Sequence, residues 1–158
     1  MTALSWLEGT AFSDWVLSSV IGFPIMLSLH AVGMAISMGL ILVLNLRLLG
    51  RFKFVSYLFL RRALLLAWAG LAINALSGMA LFAPRAVEYV GDPAFLTKMA
   101  LIVLGVLNTV WLQQQLNRKS GGWERGAAAP GVVRFVAGAS MLTWFGALTS
   151  GRLIAYVS

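Results

Sequence analysis

Four stretches of this chain are apolar enough, and nearly all long enough, to cross a bilayer, and nothing else constrains its fold as strongly. They run over about 21–46, 63–82, 95–112 and 132–156. A helix needs ~20 apolar residues to cover ~30 Å of hydrocarbon. Lipid cannot hydrogen-bond an open backbone, so each stretch is expected to be helical. The spacing shows none of the weak alternation that marks a membrane barrel. The expected fold is an all-α membrane protein, a four-helix transmembrane bundle forming one domain over 1–158. Composition agrees: 60% of the 158 residues are hydrophobic and 11% are charged, where a soluble domain carries roughly a quarter.

The net charge of +7 would suit nucleic acid if it were clustered on one soluble face, but it is distributed otherwise. Arg47, Arg51, Lys53, Arg61 and Arg62 link the first two spans, and Arg118, Lys119, Arg125 and Arg134 link the last two. Only Arg85, Lys98 and Arg152 fall on the opposite side. Basic loops stay in the cytoplasm, so both termini are expected outside a bacterial inner membrane, and no nucleic-acid partner is expected. Trp6, Leu7, Phe12, Trp15 and Val16 alternate with Glu8, Ser13 and Asp14, which predicts one amphipathic helix over about 5–19 lying in the interface. The opening "MTALSWLEGTAFSDW" has no basic n-region, so a cleaved signal is not expected. The absence of cysteine excludes disulfides, thiolate metal sites and cysteine nucleophiles.

The only histidine, His30, lies inside the first span. If Arg47 marks the inner boundary, His30 sits about five residues, or ~8 Å, below the outer surface. The same ruler brings Lys98 on the third span and Arg152 on the fourth to similar depth. At 100° per residue, Phe23, Met26, Met34 and Ser37 cluster around His30, while Met38 drifts off. Gly70, Asn74, Ser77, Gly78 and Arg85 share one face of the second span, and Lys98, Gly105 and Thr109 share one face of the third. Small residues permit close helix approach, and Asn74 can bond across it. An ionisable residue within a span is itself a site hypothesis.

The segments "LHAVGMAISMGLILVLNLRLLG", "FAPRAVEYVGDPAFLTKMALIVLGVLN" and "GRLIAY" resemble a family of small bacterial four-helix integral membrane proteins catalogued as a domain of unknown function. The resemblance covers nearly the whole chain. It implies that His30, Arg47, Lys98, Arg152 and Tyr156 occupy positions typical of that family. Asn45 departs from the aspartate expected ahead of "RLLG". The resemblance implies a fold and no activity.

Three functional readings follow. The first is a haem b-binding subunit of electron-transfer type, because a helix bundle holds haem between facing helices and haem needs one strong axial nitrogen. His30 would ligate iron, Met34 or a second copy's His30 would complete it, and Lys98 and Arg152 would neutralise propionates, with Tyr156 completing the candidate cofactor-binding set. The second is a cofactor-free anchor or assembly subunit of a homodimer or larger membrane complex, its polar cluster gripping a partner, a quinone head or an anionic lipid. The third is copper handling through His30, Met26 and Met34, since imidazole and thioethers suit Cu(I). No Ser-His-Asp set, paired intramembrane carboxylates or phosphate loop is evident, so no stand-alone enzyme is expected. Arg47 is expected at headgroups or at carbonyls near helix ends.

Overall fold

The computed structural model describes residues 2–124 and 128–157, without the side chains of residues 124 and 153–157. The described residues form an all-α bundle: α1 (Ala3–Glu8), α2 (Ala11–Ser18), α3 (Gly22–Leu48), α4 (Tyr57–Phe82), a 3₁₀ turn (Ala83–Arg85), α5 (Ala86–Gly91), α6 (Pro93–Glu124) and α7 (Gly131–Val157). Four segments are long and apolar enough to cross a membrane: Gly22–Leu48, Tyr57–Gly91, Pro93–Trp123 and Gly131–Arg152. Their outward faces carry Leu65, Phe135 and Leu142 at 70%, 77% and 75% exposure. A water-soluble protein rarely tolerates so much contiguous apolar surface, whereas hydrocarbon is its natural solvent.

The amphipathic segment at the start is two helices rather than one. Gly9 ends α1, and the Thr10 side chain caps α2 by accepting from the Ser13 N–H. The Ser13 hydroxyl then donates back to the Leu7 carbonyl at 2.7 Å, folding the second helix against the first. The pair sits over the 3₁₀ turn and α5, where the Glu8 carboxylate accepts from the Val87 N–H at 2.9 Å and so caps an orphan donor at the start of α5. Gly22 is what lets α3 leave α2 so sharply, because a Cβ there would collide with the Trp15 carbonyl.

α4 begins at Tyr57 and α6 runs to Glu124, both well past the apolar stretches that predict them. Leu, Arg, Lys and Gln in the added turns "YLFLRR" and "QQQLNRKSGGW" continue a helix readily, and α6 carries on through Gly121 and Gly122 despite their poor propensity. α3 ends in a Schellman motif: Gly50, at φ +87°, donates to the Arg47 carbonyl, and Arg51 donates to the Leu46 carbonyl.

Within the bundle α3 packs chiefly on α4 and α6 chiefly on α7, with lighter contacts closing the ring between α3 and α7 and between α4 and α6. Every one of these four contacts carries a side-chain hydrogen bond. Asn74 and His30 join α3 to α4. The Trp144 indole donates to the Thr109 hydroxyl from α7 to α6. The Trp68 indole donates to Gln113 from α4 to α6, and Asn45 donates to the Ser140 hydroxyl from α3 to α7. Glycines allow the closest approaches. Gly33 meets the α4 backbone at Gly70 and Asn74, and Gly105 lies beneath the Trp144 indole. Ser37, Ser77, Thr109 and Ser150 return their hydroxyls to carbonyls of the preceding turn, which satisfies them without water.

Candidate functional site

Two of the cavities among the described residues take in several of the residues singled out from the sequence. The larger, of about 460 Å³, lies at the end of the bundle that carries α1 and α2. His30 of α3, Gly78 of α4, Arg85 of the 3₁₀ turn, Lys98 of α6 and Gly151 of α7 all contribute to its wall. Val16 and Leu17 close one side from α2.

His30 is held in place by its neighbours. Its Nδ1 lies 2.9 Å from the Asn74 carbonyl and 3.3 Å from the Ser77 hydroxyl. In return the Asn74 amide donates to the His30 carbonyl at 2.9 Å. A carbonyl only accepts, so Nδ1 carries the proton and Nε2 keeps the lone pair. Gly78 makes room for the ring, since a Cβ there would come within 3.1 Å of Cε1. Asn74, Ser77 and Gly78 of that sequence face are thus the surface on which the imidazole rests, while Gly70 meets Gly33 and Ile36 instead.

Lys98 reaches the same cleft by laying its methylenes across Gly151, where a Cβ would meet them at 3.4–3.6 Å. Arg85 supplies a second cation to the wall, and no acidic side chain is among the lining residues. Lys98 is half-buried whereas Arg85 is exposed, so the Lys98 charge is the one that an anion in the cleft would chiefly offset. The cleft also contains three stacked rings. Phe82, Tyr89 and Phe95 have centroids 5.4–6.1 Å apart and interplanar angles of 17–23°. Their sequence signal is an aromatic residue on either side of, and within, the "VEYVGDP" turn, a position where rings favour the interface. Spacing alone does not reveal that the three stack.

The remaining candidates lie elsewhere. Arg152 is exposed and is not part of the cleft wall, although Gly151 beside it is. Arg85 stands in the wall where Arg152 was expected. Met34 lines the second cavity, between α3 and α7, together with Met38 and Met141. Met26 lines neither. The methionine series is therefore not gathered around the imidazole. No group of three or more His, Asp or Glu side chains positioned to hold a metal occurs among the described residues. Tyr156 falls within α7, but its side chain lies outside the described residues.

Arg47 turns inward at the opposite end. Its Nε donates to the Val55 carbonyl at 2.7 Å, Nη1 donates to the Tyr57 hydroxyl at 3.3 Å, and the guanidinium lies 4.1 Å from the Tyr57 ring centroid. Of the two expectations for this residue, carbonyl bonding is the one observed, and it braces the α3–α4 loop. No protein-family model, curated protein or solved structure matches the chain.

Proposed function

We propose that the cleft beside His30 holds a haem b group in the outer leaflet of a bacterial inner membrane, and that the protein is a redox subunit of electron-transfer type. The observation that carries this reading is the tautomer of His30. An imidazole that ligates a metal almost always donates its other N–H to a carbonyl or carboxylate, which orients the ring and raises its basicity. His30 donates Nδ1–H to the Asn74 carbonyl, leaving Nε2 for a ligand. Lys98 and Arg85 supply the charge that two propionates would need, and Phe82, Tyr89 and Phe95 offer flat apolar surface to a macrocycle. Iron bound there supplies one-electron chemistry. The chain's contribution is to fix the imidazole, neutralise the anionic arms and exclude water.

A second reading, the cofactor-free anchor, is favoured by the reciprocal His30–Asn74 bonds, which already satisfy the ring nitrogen and one amide. Copper handling has less support, because Met34 and Met38 line a different cavity from His30.

A visible spectrum decides between them. Protein purified from haem-replete cells should show a Soret band that His30→Ala abolishes with helical circular dichroism intact. His30→Gln should also lose the band, and it keeps a donor for the Asn74 carbonyl. Lys98→Ala and Arg85→Ala should each speed haem loss to apomyoglobin several-fold, while Arg152→Ala changes it little. Wild-type protein without Soret absorption would sink the haem reading in favour of the anchor.

A further inference from the structure

The second cavity has a chemistry of its own. It measures about 280 Å³ and lies between α3 and α7, walled by Met34, Met38, Met141, Trp144 and Phe145, with Asn45 also in its lining. Asn45 is 1% exposed. Its amide nitrogen donates to the Ser140 hydroxyl at 3.1 Å, but its Oδ1 is buried with no hydrogen-bond partner. A buried acceptor left unpaired costs about 1–3 kcal/mol. The Trp144 indole, the only other lining side chain with a nitrogen or oxygen, is already committed to Thr109. Water is a poor occupant, because a buried water needs two to four polar partners and this cavity offers one.

We infer that this cavity receives the phenolic headgroup of a bilayer-dissolved molecule, of hydroquinone type, whose hydroxyl donates to Asn45 Oδ1. Ala31, Ala35 and Gly39 on the rim are exposed on the lipid-facing surface of α3, so the way in is lateral, from the bilayer. The volume lies just below the ~300–1,000 Å³ of drug-sized sites, enough for one ring and too small for a whole lipid. Three thioethers make favourable contacts with an aromatic ring, and Trp144 and Phe145 add flat surface. A hydroxyl also suits either orientation of the Asn45 amide, since it both donates and accepts. This inference concerns a cavity separate from that of His30 and stands whether or not haem is bound there.

The test is binding of tetramethylhydroquinone to the full-length protein in lipid nanodiscs under argon, with empty nanodiscs subtracted. Saturable binding is expected, about tenfold tighter than that of tetramethyl-p-benzoquinone, which keeps the ring and both oxygens and lacks the donor. Asn45→Leu should remove that preference. Equal affinity for the hydroquinone and the quinone would overturn the inference. So would an unchanged preference in Asn45→Leu. Stoichiometric copper in the purified protein, lost on Met141→Leu, would reassign the cavity to a soft metal.

Discussion

Arg47 shows how much one side chain can settle. Its guanidinium bonds the Val55 carbonyl, bonds the Tyr57 hydroxyl and covers the Tyr57 ring, so a single residue ties the end of α3 to the start of α4. A hydrogen bond from a charged donor is worth about 1.5–3 kcal/mol, and Arg47→Ala should cost about 2 kcal/mol without altering the spectrum of any bound cofactor. Arg47→Lys should recover less than half of this, because an ammonium cannot present two fixed N–H directions and stack at once. Thermal unfolding in detergent, followed by circular dichroism, measures both. Loss of the cofactor signal in a folded Arg47→Ala protein would contradict this role. That Asn74 bonds across a face of small residues was legible from the sequence, but its partner was not: the spacing on α3 and α4 does not say that His30 is the residue it meets. Nor was the separation of Met34 from His30 legible. Four residues turn a helix by about 40° from a full circle, and one helix's pattern does not say where one neighbour ends and the next begins. On α3 that rotation crosses from the α4 side to the α7 side.

At the scale of elements, backbone contact decides how firmly helices are joined. A Cβ at Gly33 would lie 2.7 Å from both the Asn74 nitrogen and the Gly70 carbonyl oxygen, and neither atom can move without moving α4. Gly33→Ala should therefore destabilise the protein by about 1–3 kcal/mol. Gly138 is the control: a Cβ there meets nothing within 4 Å, so Gly138→Ala should stabilise α7 by about 0.5–1 kcal/mol. The fraction folded against added sodium dodecyl sulfate reads both, and equal behaviour of the two variants would show that the Gly33 contact carries no weight. Helix number was plain from the sequence, since long apolar runs leave little choice. Helix ends were less so. The polar turns of α6 beyond Leu112 carry no hydropathy signal, and the break at Gly9–Thr10 depends on a cap that a smooth amphipathic pattern conceals.

For the whole molecule, the asymmetry of charge predicts a direction of insertion. The α3–α4 and α6–α7 connections hold most of the basic residues, so they are expected in the cytoplasm, with both termini and the His30 cleft on the other side. The chain has no cysteine, which permits single-cysteine labelling. Gly91→Cys and Gly121→Cys are suitable sites because a Cβ at either meets nothing within 4 Å. On intact cells an impermeant maleimide should label the first and spare the second; equal labelling of the two would contradict the orientation. The ring of four helices also implies an order of assembly. Ties within the two hairpins close short stretches of chain, 44 residues from His30 to Asn74 and 35 from Thr109 to Trp144. The Asn45–Ser140 tie spans 95 residues. Closing a longer loop costs more entropy, and α7 is the last of these four spans to leave the ribosome. The first hairpin thus settles while the second is still being made, and the α3–α7 seam, with the cavity it encloses, forms only once all four of these spans are in place.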